Sequence, residues 1–243
     1  QIERSLRLEG NDAAYLSRSQ STGSGTAWTV SFWTKNTTTR NTSYPCLIGA
    51  NNFNGYRTFF RYTSNRQYEF YAGGTSNGST ADYNRFNTVE TFADPSAWHH
   101  ICLVWDTNNS VAADRCILHV NGKRATWSGT FSAGATCGWN QNVINLIGKE
   151  GGYSRFYNGY IAEFHNVDGA ALNCTDFGEF DENGVWQPKE FEGSHNQNNG
   201  VNYSTTSTIS GASTLFDGNT GTYLNSAMDT SYKTVTEGSV TFG

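Results

Sequence analysis

The chain has 243 residues, enough to bury a sizeable core, and its formal charge of −5 comes with no basic cluster larger than a pair such as Lys123-Arg124. That balance argues against a surface that tracks nucleic-acid phosphates, and no apolar run reaches the roughly 18–20 residues of a membrane-spanning helix. Aromatics at 14%, with 26 Gly, 3 Pro, 1 Met and only 15% charged residues, make a composition of sheets and turns rather than helices.

Gln1 to Gly10 has neither an apolar h-region nor a small-residue cleavage site. Ser5 to Leu8 reads as a first strand, the polar stretch Glu9 to Asp12 as a turn, and Ala14 to Ser17 as a second strand. Trp28 to Thr34 alternates strictly, with Trp28, Val30 and Phe32 on one side, which predicts a strand with one face on the core. Arg57 to Tyr71 reads as a hairpin turning at Ser64-Asn65-Arg66, followed by a loop tip at Gly73 to Ser79. After Asp94-Pro95, Trp98 to Asp106 and Arg115 to Val120 are two strands joined through Thr107 to Ala113. Asn121-Gly122 is the strongest hairpin signal, because both residues tolerate the positive φ of a type I′ turn; it should lead to a strand around Arg124 to Trp127. Val143 to Gly148 and Gly159 to Val167 supply two more strands, and Cys174 to Phe177 a single helical turn. Period-2 segments with turn signals at this spacing predict an all-β sandwich or barrel.

Composition shifts near Gly193. We expect residues 1–193 to form the sandwich and the Asn/Ser/Thr-rich stretch 194–211 to act as a linker. Residues 212–243 should be a short β-rich extension that starts a further unit and needs a partner or more chain to close its core.

Five cysteines, Cys46, Cys102, Cys116, Cys137 and Cys174, include no C-x-x-C pair and no His at metal-ligand spacing, so they read as small buried apolar residues. A Cys102–Cys116 disulfide stays open as an alternative, because these two lie on consecutive strands. His100 and His119 have no carboxylate or Cys at useful spacing and read as structural. No nucleophile elbow, zinc-protease, Walker or dinucleotide motif occurs. For a sugar, the useful groups are aromatic faces beside polar side chains in turn-rich segments. Those in the loop Trp127 to Trp139 and the run Tyr153 to Tyr157 make Trp127, Trp139, Tyr153, Arg155 and Tyr157 the candidate ligand-binding residues; packing or a subunit contact is the other reading of each.

Asp94-Pro95-Ser96-Ala97-Trp98-His99-His100-Ile101, Val104-Trp105-Asp106-Thr107, Leu118-His119-Val120-Asn121-Gly122 and Leu146-Ile147-Gly148 resemble the signature of the laminin-G-like, concanavalin-A-like domains. Tyr15 to Arg18, Asn158 to Glu163, and Phe177-Gly178-Glu179 through Gly184 to Lys189 resemble more narrowly the versions of this domain in tail-fibre and other virion proteins of tailed bacteriophages. Phe216-Asp217-Gly218-Asn219-Thr220 with Tyr223 is similar to an early segment of discoidin-like carbohydrate-binding modules.

The resemblance implies a two-sheet antiparallel jelly-roll β-sandwich, with Trp98, Ile101, Leu103 and Trp105 meeting Cys116, Leu118 and Val120 in a core about 10 Å thick. It implies a structural and adhesion component exposed on a virion, as tail fibre or head decoration, with other virion proteins, copies of itself (a trimer foremost) and a host-surface glycan as partners. A secreted or cell-surface lectin of cellular origin is the alternative. Glucanases of this architecture place two glutamates on an E-x-D-x-E strand about 5 Å apart. The nearest string here, Glu179-Phe180-Asp181-Glu182-Asn183, has Asn183 where the second glutamate belongs, so catalysis is not expected. No cofactor is expected with certainty. Domains of this kind often hold calcium in rim loops, which makes Asp12, Asp82, Asp106 and Asp168 its candidate ligands, each otherwise a turn-forming aspartate.

Overall fold

The computed structural model describes residues 2, 5–19, 22–37, 44–51, 57–73, 84–94, 97–193 and 208–210. One antiparallel sheet has six strands in the order β1 (Leu6–Leu8), β12 (Gly159–Asp168), β3 (Ala27–Asn36), β8 (His99–Asp106), β9 (Cys116–Val120) and β10 (Lys123–Ala125). The other has seven, in the order β15 (Thr208–Ser210), β2 (Tyr15–Ser19), β11 (Ile144–Ile147), β4 (Cys46–Asn51), β5 (Arg57–Tyr62), β6 (Tyr68–Ala72) and β7 (Asn84–Asn87). A separate hairpin pairs β13 (Gly178–Phe180) with β14 (Trp186–Pro188). Non-consecutive neighbours in both large sheets make this the expected jelly-roll sandwich. Among the described residues the helical pieces are short 3-10 turns such as Cys174–Asp176, and no helix is long and apolar enough to cross a membrane.

Period-2 alternation builds the core between the sheets. Trp28, Val30 and Phe32 of β3, Ile101, Leu103 and Trp105 of β8, and Cys116, Leu118 and Val120 of β9 meet Ile48 and Ala50 of β4, Phe60 of β5 and Phe70 of β6. Trp28 stacks on Trp105 with ring centroids 5.9 Å apart, and Phe70 and Phe131 close on Trp105 edge-on at 5.7 and 5.0 Å. The Asn121-Gly122 turn forms as expected, with φ of 51° and 74°, and joins β9 to β10.

The outer face of β3 is buried too: Thr29, Ser31 and Trp33 are as buried as Val30 and Phe32. Residues 170–191 lie over it, and Trp33, Cys102, Val104, Val167, Phe177 and Trp186 form a second apolar layer. Trp98 corrects an expectation: it packs against that outer layer, not in the core with Ile101, Leu103 and Trp105. Its even position gives it the side of Cys102 and Val104. All five cysteines are free and buried, as the leading reading has it; Cys102 and Cys116 belong to opposite layers, so the alternative of a disulfide between them falls.

β12 carries a bulge between Ala162 and His165 that parity alone did not reveal. Ile161 faces the core while Val167, also odd, packs in the outer layer, because the extra residue at Glu163 (φ 47°) reverses the alternation. At the C-terminus, β15 lies inside the stretch read as a linker and pairs with β2. The loop tip at 74–79 and the extension 212–243, with its discoidin-like motif, lie outside the described residues.

Candidate functional site

The outer face of the seven-stranded sheet carries a charged cluster. On β5, Thr58 and Phe60 point inward, so Arg57, Phe59 and Arg61 share the opposite face; the β5–β6 register sets Arg61 across from Glu69 and Phe59 across from Tyr71. Phe59 and Tyr71 stack at 5.1 Å over the buried Cys46 of β4. The loop from Lys149 to Phe156, closed by a bridge between those two residues, arches over the same face. It comes so close at Gly49 that a Cβ there would meet the Lys149 carbonyl oxygen and the Glu150 backbone. That approach delivers Glu150 to the arginines.

Glu150, whose side chain is wholly buried, accepts from Arg57 Nε at 2.7 Å, Arg61 at 3.1 Å and Arg155 at 3.0 Å. Glu69 pairs with Arg61 at 2.7 Å and with Arg85 at 2.8 Å. The rings of Tyr44 and Tyr153 complete the layer: Arg61 lies 4.3 Å over Tyr44, and Arg57 and Arg155 lie 4.3 and 4.7 Å from the Tyr153 centroid. Burial pushes the Cys46 thiol well above its usual range, and Glu150 raises it further against the pull of the three arginines. The thiol therefore stays protonated and is not a nucleophile.

Of the five candidate ligand-binding residues, the structure brings Tyr153 and Arg155 into this cluster. Trp127 lies elsewhere, half-buried against the main core. Trp139 and Tyr157 correct the expectation of surface rings: both are buried, Trp139 donating to Asn166 Oδ1 at 3.0 Å and Tyr157 sharing a hydrogen bond with Thr34 Oγ1 at 2.7 Å. Sequence reasoning missed Arg57, Arg61, Glu69 and Glu150. The signal available was the charged pair flanking Phe59 on one face of a strand.

A second concavity sits at one end of the sandwich, among Tyr62, Tyr68, Phe92, Asp94 and His99. Tyr68 OH and His99 Nδ1 are 2.9 Å apart, and Tyr62 OH donates to the Phe92 carbonyl. Burial raises both tyrosines and lowers His99, the last partly offset by Asp94. These polar groups satisfy one another.

The aspartates considered for calcium do not share a site. Asp12 lies in the turn after β1, at the opposite end of the six-stranded sheet from Asp106 and Asp168, and those two are kept about 10 Å apart by the intervening β3. Asp168 accepts from the Ser24 amide at 2.7 Å and from Asn140, and Asp106 accepts from Asn109. Asp82 lies outside the described residues. Among the described residues no three His, Cys, Asp or Glu side chains are grouped as a metal ion would need, so the described aspartates do not make up a calcium centre. The carboxylates at 179–182 lie on the β13–β14 hairpin, where Asp181 accepts from the Asn183 and Val185 amides at 2.9 and 2.8 Å; it is a turn residue.

Among solved structures, the fold is similar to a heptameric SAP-like pentraxin from Limulus polyphemus (17% identity, 66% of this chain and 71% of that one, TM-score 0.46). It is also similar to domains LG4-5 of the mouse laminin alpha1 chain (11% identity, 68% and 41%, TM-score 0.47) and to the binding domain of botulinum neurotoxin DC (13% identity, 63% and 34%, TM-score 0.44). No curated protein matches the chain. Residues 8–173, more than half of the chain, match the family described as the concanavalin A-like lectin/glucanases superfamily, and the chain belongs to that family.

Proposed function

We propose that this chain is a non-catalytic adhesion and assembly module of a tailed-phage particle, displayed on its surface as a tail fibre or head decoration, and that it holds a host-surface glycan on the outer face of the seven-stranded sheet. The observation that carries the glycan reading is the solvent-facing Tyr153, 47% exposed, with the guanidiniums of Arg57 and Arg155 4.3 and 4.7 Å from its ring centroid. A ring fixed beside forked donors is what a pyranose face and its hydroxyls require. The virion reading draws on the stretches at Tyr15 to Arg18, Asn158 to Glu163 and Phe177 to Lys189 that resemble phage virion domains. Other virion proteins and further copies of the chain are its expected partners.

Mass spectrometry of purified particles beside uninfected cells tests the assembly reading. The chain's peptides are expected in the particles, and their presence only in uninfected cells overturns it. Retention of the purified chain on a panel of immobilised cell-surface glycans tests the adhesion reading: at least one sugar should bind, and none binding refutes it.

A further inference from the structure

Resting on the adhesion reading above, we propose that the outer face of the seven-stranded sheet selects a saccharide bearing a single anionic group, a carboxylate or a sulfate. Among the described residues Arg57, Arg61, Arg85 and Arg155 pair with Glu69 and Glu150, so this cluster carries a net charge of +2 in a chain of net −5, which leaves −7 to all other residues. The two carboxylates are covered completely or nearly so, with side-chain exposures of 0% and 2%, so an incoming anion makes no direct contact with them. The arginines do reach solvent: the side chains of Arg57, Arg85 and Arg155 are 32%, 51% and 29% exposed.

The buried carboxylates also fix the forks. Arg61, only 3% exposed, is clamped between Glu69 and Glu150, and Glu150 holds Arg57 and Arg155 against the Tyr153 ring. Guanidiniums already immobilised lose little conformational freedom on binding, and their planar geometry suits two-point recognition of carboxylate or sulfate. A neutral sugar gains nothing from the surplus charge. An extended polyanion gains from it only locally, because the −7 remainder repels the rest of its length. One anionic group on an otherwise neutral saccharide uses both features of the site.

The test is affinity measured on matched oligosaccharides, neutral, uronate-bearing and sulfated, at about 50 mM and about 500 mM salt, for the native chain, Arg155→Gln and Arg85→Gln, with inorganic sulfate as competitor. The acidic member of each pair should bind at least about tenfold more tightly at low salt, and the preference should shrink at high salt. Arg155→Gln should bring the preference below about threefold; Arg85→Gln, whose carboxylate partner keeps Arg61, should reduce it with only a small shift of the unfolding midpoint. Equal binding of neutral and acidic members overturns the anionic class and leaves the adhesion reading standing. A preference untouched by both variants overturns the site. Competition by inorganic sulfate as effective as that of the sulfated sugar overturns saccharide recognition. No binding of any member overturns both readings.

Discussion

At the scale of single residues, the energetics of the charged face turn on Glu150. Its carboxylate is removed from water and balanced by three guanidiniums, a geometry in which removing one partner costs far more than the assembled pair contributes. Glu150→Gln leaves Arg61, itself buried, with Glu69 alone, and should lower the unfolding free energy by about 3 kcal/mol in urea denaturation. Arg85→Gln, at a half-exposed pair, should cost at most about 1 kcal/mol. Equal losses would mean that burial does not raise the cost of breaking the Glu150 cluster above that of a half-exposed pair. Only a small part of this site was legible in the sequence. Tyr153 and Arg155 stood out because aromatic and basic residues crowd one turn-rich run, but the same signal also selected Tyr157 and Trp139, whose polar atoms find partners inside the protein. Glu150 was not singled out, since two of its three arginine partners lie 93 and 89 residues away and meet it only because the loop crosses Gly49.

At the scale of elements, strands and hairpins were read from period-2 patterns and turn chemistry, and most lie within a residue or two of where those signals put them. The faces were harder. Thr29 and Ser31 look like solvent-facing residues of an alternating strand, yet Thr29 Oγ1 donates to the Ala170 carbonyl at 2.8 Å and accepts from the Leu172 amide at 2.9 Å, while Ser31 Oγ lies 2.8 Å from His100 Nε2. Small hydroxyls satisfied in this way can be buried, so polarity alone did not reveal the covering layer. The β9–β10 turn and the β13–β14 hairpin are two elements tied together in that layer: a Cβ at Gly122 would enter the Trp186 ring, and the residue already sits at positive φ. Gly122→Ala should therefore cost about 1 kcal/mol for the backbone and at least as much again for displacing the indole. In a Trp186→Ala background only the backbone part should remain, so a double-mutant cycle should return a coupling of at least about 1 kcal/mol. Additive losses would separate the two elements.

At the scale of the whole molecule, the protein has three layers of side chains: the charged face outside the seven-stranded sheet, the aromatic core between the sheets, and the apolar layer under residues 170–191. The third layer sets the response to acid. His100 is buried against Trp33 and Trp186, with ring centroids at 5.1 and 5.7 Å; its Nε2 meets Ser31 and its Nδ1 has no hydrogen-bond partner among the described residues. Burial, with the nearby His165 and His119 adding to it, lowers its pKa from 6.5 to about 3, and burial also lowers His119 and His99. The unfolded chain takes up this proton near pH 6.5 and the folded chain only near pH 3, so the stability His100 provides is complete above pH 6.5 and is lost as the pH falls through that window. From His100 alone, the loss should reach about 3 kcal/mol by pH 4. Urea unfolding at pH 7.5, 5.5 and 4 should show this decline, and His100→Phe, which retains a ring against the two tryptophans but cannot titrate, should flatten it even if its stability at pH 7.5 is lower. Parallel slopes for the native chain and the variant would place the acid sensitivity outside the layer that residues 170–191 close over the six-stranded sheet.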